Sequence, residues 1–443
     1  MNRRRDFLRQ SLAFGLTSCV AGAGIPPALA APSRRGSSSI GHVVPAKGTV
    51  TRLGGLGDGY KMTVVGDGRQ IVVVNDGPGW VPPPATFFST RLWTVDGPPQ
   101  SARFAQLAGY PIVDRAAHPE GAPHYYGHGV IAIGQNIYQA LATLDHAEDR
   151  PRRWTGAKLI HSPDGGATWR NGDGSSPVVW EDWSAQSRER FPFFNEPDGC
   201  FSLLAFLQQG GASGADRDGY VYAYGLNGSV DGLMNQLMLF RVEKDRLLDR
   251  NAYRFFAGRT RGGGAQWSAD IASRQPIHSF PLGWVNSANL FPGDLVVESW
   301  LPSVVWNAPL GLYMMASAGI GCAPDGTAFG KPSYLGLWVA DHPWGPWRQI
   351  HEDRAWLPDG DSAARAYAPQ IAPGWLAPDG RSFWLVWADL AGLRAFGRDE
   401  ALVDAEMSKA RDASEKTVIE AEILRRYMPG FAMNAQRIDL LQG

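Results

Sequence analysis

The stretch Leu159–Asn171, LIHSPDGGATWRN, reads as the end of one strand, a tight turn and the start of another. Ser162, Asp164, Gly166, Thr168 and Trp169 fall in it as S-x-D-x-G-x-T-W. A short acid in a turn accepts backbone N–H bonds. The glycines permit tight backbone, and the tryptophan packs between strands. Asp164 is therefore read as scaffold, and the segment as the hairpin between the third and fourth strands of a small antiparallel sheet.

Alternating apolar segments separated by Gly, Pro and Asp turns extend this reading along the chain. A first group holds YKMTVVGDG and RQIVVVNDG. A second holds HGVIAIG, NIYQALATL, AKLIHS and TWRN. A third holds CFSLLAFLQ, GYVYAYGLNG, QLMLFRVEK and AYRFFAG. PSVVWNAP, GLYMMASAG, YLGLWVAD and PWRQIHE form a fourth, and APQIAPGWL, SFWLVWADL and FAMNAQRIDLL a fifth. A four-stranded unit cannot bury both faces alone, so neighbours must stack. Five units stacked radially make an all-β, five-bladed β-propeller, an architecture that also limits exposed edges. Many propellers carry the S-x-D-x-G-x-T-W turn between strands three and four, and Ala340–Ile350 occupies the matching place in the fourth group. The fifth group lacks a strand, which Gly48–Leu53 is expected to supply. A segment free of proline from about Arg398 to 428, rich in Ala, Glu, Lys and Leu, is expected to be a helical insertion.

The first 30 residues read as an export signal. Arg4-Arg5-Asp6-Phe7-Leu8 follows the twin-arginine pattern, an apolar run follows, and Ala28-Leu29-Ala30 is a small-residue cleavage motif. The expected order is a signal at 1–30, a flexible linker at 31–47 and one propeller domain at 48–443. Localisation is expected to be periplasmic or extracellular, with a lipid anchor at Cys19 as the alternative. No other segment has the roughly 18 apolar residues of a membrane span. Removing Arg3, Arg4, Arg5, Arg9 and Asp6 leaves 38 basic and 42 acidic residues, so nothing supplies a cationic surface for nucleic acid. Cys200 and Cys322 remain, too few for a metal framework; they are expected to lie near each other on adjacent blades.

Chain direction sorts the acids. In an antiparallel blade the start of strand one and the end of strand two share a face, and the hairpins one–two and three–four lie on the other. The shared face collects Asp58 and Asp76 in the first group, His128, Asp145 and His146 in the second, and Glu196 in the third. Glu298, Trp300, Tyr367 and Asp389 join them. Paired carboxylates are what most glycoside hydrolysis needs, one ionised and one held protonated. Asp58 or Asp76 is assigned the ionised role and Glu196 the acid. His128 and Asp145 are assigned to substrate binding, and Trp80, Trp154, Phe194, Trp300 and Tyr367 to flat walls suited to sugar rings. Asp198, Asp389 and Glu298 read as turn or surface residues. No cofactor or catalytic metal is implied; a structural calcium in the central channel is the one metal considered.

The segments VVVNDG, SVVWNAPLGLYMM, LGLWVADHPWGPW and AYAPQIAPGWLAPDGRSFWLVWADL resemble an exported five-bladed propeller family long labelled as of unknown function, which includes endo-D-arabinanases. The likeness runs from about Gly54 to Leu441. It implies a glycoside hydrolase acting on an extracellular or envelope polysaccharide, arabinan-like in type. The family's frequent G-D-T after strand two reads Asn75-Asp76-Gly77 here, keeping the acid and changing its neighbours. Two alternatives remain open on the residues: a non-catalytic carbohydrate-binding propeller, and a polysaccharide lyase working through Tyr367 and His128. Glycan, linkage and oligomeric state are not legible.

Overall fold

Each sequence group forms one antiparallel sheet in the computed structural model, and the five sheets make a five-bladed β-propeller. The structure describes residues 40–114, 125–144, 154–181, 193–209, 218–228, 233, 235–280, 302–321, 323 and 329–442. Blade one starts with the interrupted inner strand Leu56–Asp58 and Met62–Val64, followed by Gln70–Gly79, Phe88–Asp96 and the short outer strands Arg103–Gln106 and Val113–Asp114. Blade two is Tyr125–Ile133, Asn136–Leu144, Trp154–Ser162 and Arg170–Asn171. Blade three is Leu204–Phe206, Tyr220–Leu226, Gln236–Glu243, Arg254–Arg259 and Ala265–Ser268, with His278–Ser279 paired onto its third strand. Blade four runs Ser303–Asn307, Leu312–Gly319, Ser333–Ala340 and Arg348–Trp356.

Blade five joins the two ends of the ring. Ala366–Leu376 and Ser382–Asp389 are followed by Met433–Gln442, and this last strand pairs with both Ile40–Pro45 and Thr51–Gly54. The expected closing segment thus contributes Thr51–Gly54. The propeller also begins earlier than expected: Ile40–Pro45, inside the stretch read as linker, is the outermost strand. Its six residues, two of them Gly and Pro, are too few for alternation to stand out, and the long partner strand orders them.

The inner strands of consecutive blades lie side by side around the axis, Ala366–Leu376 returning to Met62–Val64. Five apolar cores fill the junctions between blades. Ile71, Val73 and Leu92 of blade one meet Val130, Ile137 and Ile160 of blade two. Ala157 and Leu159 of blade two meet Phe240 and Phe255 of blade three, and the remaining three junctions follow the same plan. Strand alternation produces this directly: odd and even positions of one blade face different neighbours. Side chains also cross the junctions near the axis. Thr63 Oγ1 accepts the Ala132 amide at 3.0 Å, Gln208 Nε2 donates to the Val130 carbonyl at 2.8 Å, and Ser303 Oγ accepts the Ile371 amide at 2.9 Å. Gln70 Oε1 accepts the Gly374 amide at 2.9 Å across the seam between the last and first blades.

The turn Ser162–Trp169 is built as its residues dictate. Asp164 accepts the Thr168 amide at 2.8 Å and hydroxyl at 2.6 Å, Ser162 Oγ accepts the Gly166 amide at 2.8 Å, and Trp169 is buried. The hydrogen bonds, that from the Thr168 hydroxyl foremost, hold the Asp164 carboxyl below its usual range. The helical insertion consists of Leu393–Arg398, Glu400–Met407 and Ala413–Tyr427. Its Phe396, Val403, Ile423 and Leu424 belong to the same core as Leu56, Tyr60 and Phe87 of blade one. It is therefore packed structure on the face where strand two of blade five ends. Among the described residues no helix is long and apolar enough to cross a membrane.

Candidate active site at the channel mouth

The site begins with Asn75. Its side chain donates to the Gly127 carbonyl at 3.0 Å and accepts the Gly127 amide at 3.1 Å, tying blade one to the inner strand of blade two. The backbone of Gly57-Asp58-Gly59 is moulded against it. A Cβ on Gly57 would lie 2.5 Å from the Asn75 carbonyl oxygen, and one on Gly59 would lie 2.6 Å from Asn75 Nδ2. Both glycines also have positive φ, 140° and 84°. Glycine is thus required on each side of Asp58.

Asp58 stands opposite Asn75 in the strand register, and Asp76 is the next residue along. The fold therefore brings Asp58 and Asp76 onto adjacent strands at one end of blade one, both nearly buried. Asp76 has φ 51°, in the left-handed region, within the otherwise extended strand Gln70–Gly79. Such backbone costs on the order of 1 kcal/mol and concentrates at functional sites. Tyr60 lies close by, its hydroxyl 2.6 and 2.8 Å from the carbonyls of Gly55 and Gly57. Burial, with the Asp58 charge second, pushes its phenol well above the usual range, so it remains a neutral donor.

His128 is the extra residue of a β-bulge: Leu141 pairs with Gly127 and Ala140 with Gly129. Bulges re-aim single side chains, and here the imidazole joins the channel lining. Trp154 packs edge-on against it at 5.0 Å and Tyr126 lies at 6.3 Å. Its Nε2 is buried and without a hydrogen-bond partner. Burial, aided by the charge of Lys61, lowers the His128 pKa to about 3, so the ring is neutral at ordinary pH.

Around the axis the channel is lined by Lys61, His128, Gln208, Ser303 and Gln370, with residues from every blade. It leaves about 10 Å³ for solvent centres, on the order of a single water. No carboxylate belongs to this described lining, and Lys61 adds a positive charge. The set does not fit calcium, which takes several hard oxygens and favours anionic ones. Among the described residues no group of three or more His, Cys, Asp or Glu gathers as a metal site.

The other expected residues have different surroundings. Glu196 lies at the junction of blades two and three, its carboxylate 3.6 Å from Arg250. Phe194 is completely buried, bridged through its backbone to Ala157 and packed among Phe201, Phe240 and Tyr253, with Arg250 4.6 Å above its ring. It has no face left for a sugar; an aromatic that looks like a loop residue in sequence is here a core residue. Trp80 stacks on Phe104 at 3.8 Å and donates its indole N–H to the Leu53 carbonyl at 2.7 Å, anchoring the closing segment. Tyr367 is half-buried, edge-on to Phe329 at 5.5 Å. Asp145, His146, Glu298 and Trp300 lie outside the described residues, as does Cys322; Cys200 is a buried thiol whose ionisation burial opposes. Asp198 and Asp389 are turn acids: the first accepts the Cys200 amide and pairs with Arg274, the second accepts the amides of Arg365 and Ala391. Asp389 is buried, not superficial, and burial raises its pKa.

Sequence reasoning passed over Lys61, Asn75 and Gln208. A lone lysine inside the apolar run YKMTVV was the available signal for Lys61. It also passed over Lys158, whose Nζ sits 2.9 and 2.8 Å from the two carboxylate oxygens of Glu181 in a buried pair, alongside the Val179 carbonyl. Tyr125 donates to the same carboxylate at 2.9 Å.

Fold and mouth together define the class: a five-bladed propeller with adjacent buried carboxylates, a neutral histidine and a lysine where its axis opens. The chain belongs to the DUF4185 family, described as a domain of unknown function, whose family model matches residues 127–388. No curated protein matches it. Among solved structures it is similar to one described as a hydrolase from Bacteroides ovatus, at 12% identity and TM-score 0.46, covering 92% of this chain and 96% of that one. It is similar to a xylan β-1,4-xylosidase from Bacillus halodurans at 11% identity and TM-score 0.40, covering 76% and 49%. A Bacillus subtilis arabinanase matches at 10% identity and TM-score 0.36, covering 76% and 90%.

Proposed function

We propose that this protein is a glycoside hydrolase acting on an extracellular or envelope polysaccharide, arabinan-like in type, after twin-arginine export. The observation that carries the reading is the setting of Asp58 and Asp76: neighbouring strands, near-complete burial, and left-handed backbone at Asp76. Two acids in unlike surroundings suit a reaction in which one carboxylate stays ionised while another delivers a proton to the leaving oxygen. Asp76 is assigned the ionised role. The proton donor is Asp58, beside the neutral Tyr60, or Glu196, whose partner Arg250 fixes its position. Neutral His128 lines the channel, with Trp154 supporting its ring.

Arabinans, galactans and bacterial envelope polysaccharides, assayed for released reducing ends, test the reading. Asp76→Asn and Asp58→Asn are expected to lower turnover by about 10²–10⁴-fold, the scale of an acid–base group. Undiminished turnover in both variants refutes the assignment. A comparable fall in Glu196→Gln makes Glu196 the donor; unchanged turnover there removes it and leaves Asp58.

A further inference from the structure

A cleft lies on the face opposite the mouth, at the seam where blade five meets blade one, and holds about 600 Å³. That size is typical of small-ligand sites. Its walls come from three hairpins: Asp67–Gln70 and Val95–Pro99 of blade one, and Gly374–Ala377 with Ser382 and Trp384 of blade five.

Ring closure fixes these walls. Trp375 Nε1 donates to the Gly97 carbonyl at 3.1 Å, and Gln70 Oε1 accepts the Gly374 amide at 2.9 Å. A Cβ on Gly374 would lie 2.4 Å from the Gln70 side chain and would have to displace it. Gln70, Trp375 and Trp384 are only 5%, 7% and 9% exposed. Two donors nevertheless remain open. The Gln70 amide nitrogen and the Trp384 indole nitrogen bond to no described residue, and neither is sealed from solvent. Held on nearly buried side chains in the cleft wall yet open to solvent, these donors are available to an acceptor that displaces water. The rim carries Asp67, paired with Arg69 at 2.6 Å, and Asp96, paired with Arg103 at 2.5 Å. With each carboxylate matched by a guanidinium, the rim carries no excess charge to attract an ionic ligand. Indole edges and neutral donors within, and a charge-balanced rim outside, match a neutral polyhydroxylated chain, whose hydroxyls both donate and accept.

We propose that this cleft is a second carbohydrate-binding site, which holds a short stretch of neutral polysaccharide on the face away from the channel mouth. Only the choice of a polysaccharide as ligand rests on the proposed hydrolase reading. A site here retains the polymer while the mouth works elsewhere on it, raising local substrate concentration without touching the reacting bond.

Affinity electrophoresis through gels containing arabinan, arabinogalactan or xylan tests it, with thermal unfolding as the check on folding. Wild-type protein is expected to be retarded by at least one polymer. Gln70→Ala and Trp384→Phe are each expected to weaken retention about fivefold, the effect of one lost hydrogen bond. Asp76→Asn is expected to keep full retention. In a parallel titration with oligosaccharides of the retarding polymer, the Trp384 indole N–H resonance is expected to shift. Absence of retardation by all three polymers, or equal retention in wild type and both folded cleft variants, overturns the proposal. Retention that depends on Gln70 in a protein with no hydrolytic turnover supports the cleft while removing the hydrolase reading.

Discussion

Replacing His128 by glutamine makes the electrostatics of the channel measurable. Burial first and Lys61 second lower its pKa from 6.5 to about 3. The unfolded chain therefore takes up a proton on acidification before the folded one does. Stability from this group is fully present above pH 6.5 and is lost as pH falls from there toward 3. Between pH 8 and pH 5 the two pKa values give a loss of about 2 kcal/mol, since each unit of difference is worth about 1.4 kcal/mol. His278, lowered to about 4 by burial and Arg259, adds its own loss, as do His161 and His351. The diagnostic quantity is thus a difference of differences. Urea unfolding of wild type and His128→Gln at pH 8 and pH 5 should show wild type losing about 2 kcal/mol more than the variant. The Cε1–H resonance should also fail to titrate down to pH 5. An equal loss in the two proteins, or titration near 6.5, would refute the assignment of His128 as a neutral, desolvated channel residue.

Lys158→Met should cost about 3–5 kcal/mol, because it strands the buried Glu181 carboxylate. At roughly 2 cal/mol/K per residue this is a fall of several degrees in Tm by calorimetry, and Lys158→Met/Glu181→Leu should recover most of it. Gly57→Ala should displace Asn75 and reduce turnover with a smaller loss of Tm, since the added methyl meets the Asn75 carbonyl at 2.5 Å. A chain starting at Gly55 lacks Ile40–Pro45 and Thr51–Gly54, which cover the outer edge of Met433–Gln442; size-exclusion chromatography should show it associating or aggregating through the bared edge.

The blades were legible where strands alternate and end in Gly, Pro or Asp turns. VVVNDG and GLYMMASAG are such cases: their periodicity is a direct imprint of two buried faces. The outer strands Arg103–Gln106, Ala265–Ser268 and Ile40–Pro45 were not legible, being short, half-exposed and paired only because a longer neighbour presents an edge. The insertion was visible by composition, but its packing on blade one was not, because Phe396 and Leu424 find their partners hundreds of residues away. At the site, chain direction could put Asp58 and Asp76 at one end of blade one. It could not distinguish an aromatic lining a loop from one filling a core, which is why Phe194 was misread. Nor could it foresee that Asn75 organises its neighbours, since both of its anchoring bonds run to Gly127, 52 positions along the chain.

The seam in blade five has a temporal consequence. The strand that latches the circle, Met433–Gln442, is made after every other strand described, while its partners Ile40–Pro45 and Thr51–Gly54 are made before them. Until the ribosome has released Met433–Gln442, those two earlier strands have nothing to clasp. The settled spacing of all five blades therefore waits for one late event.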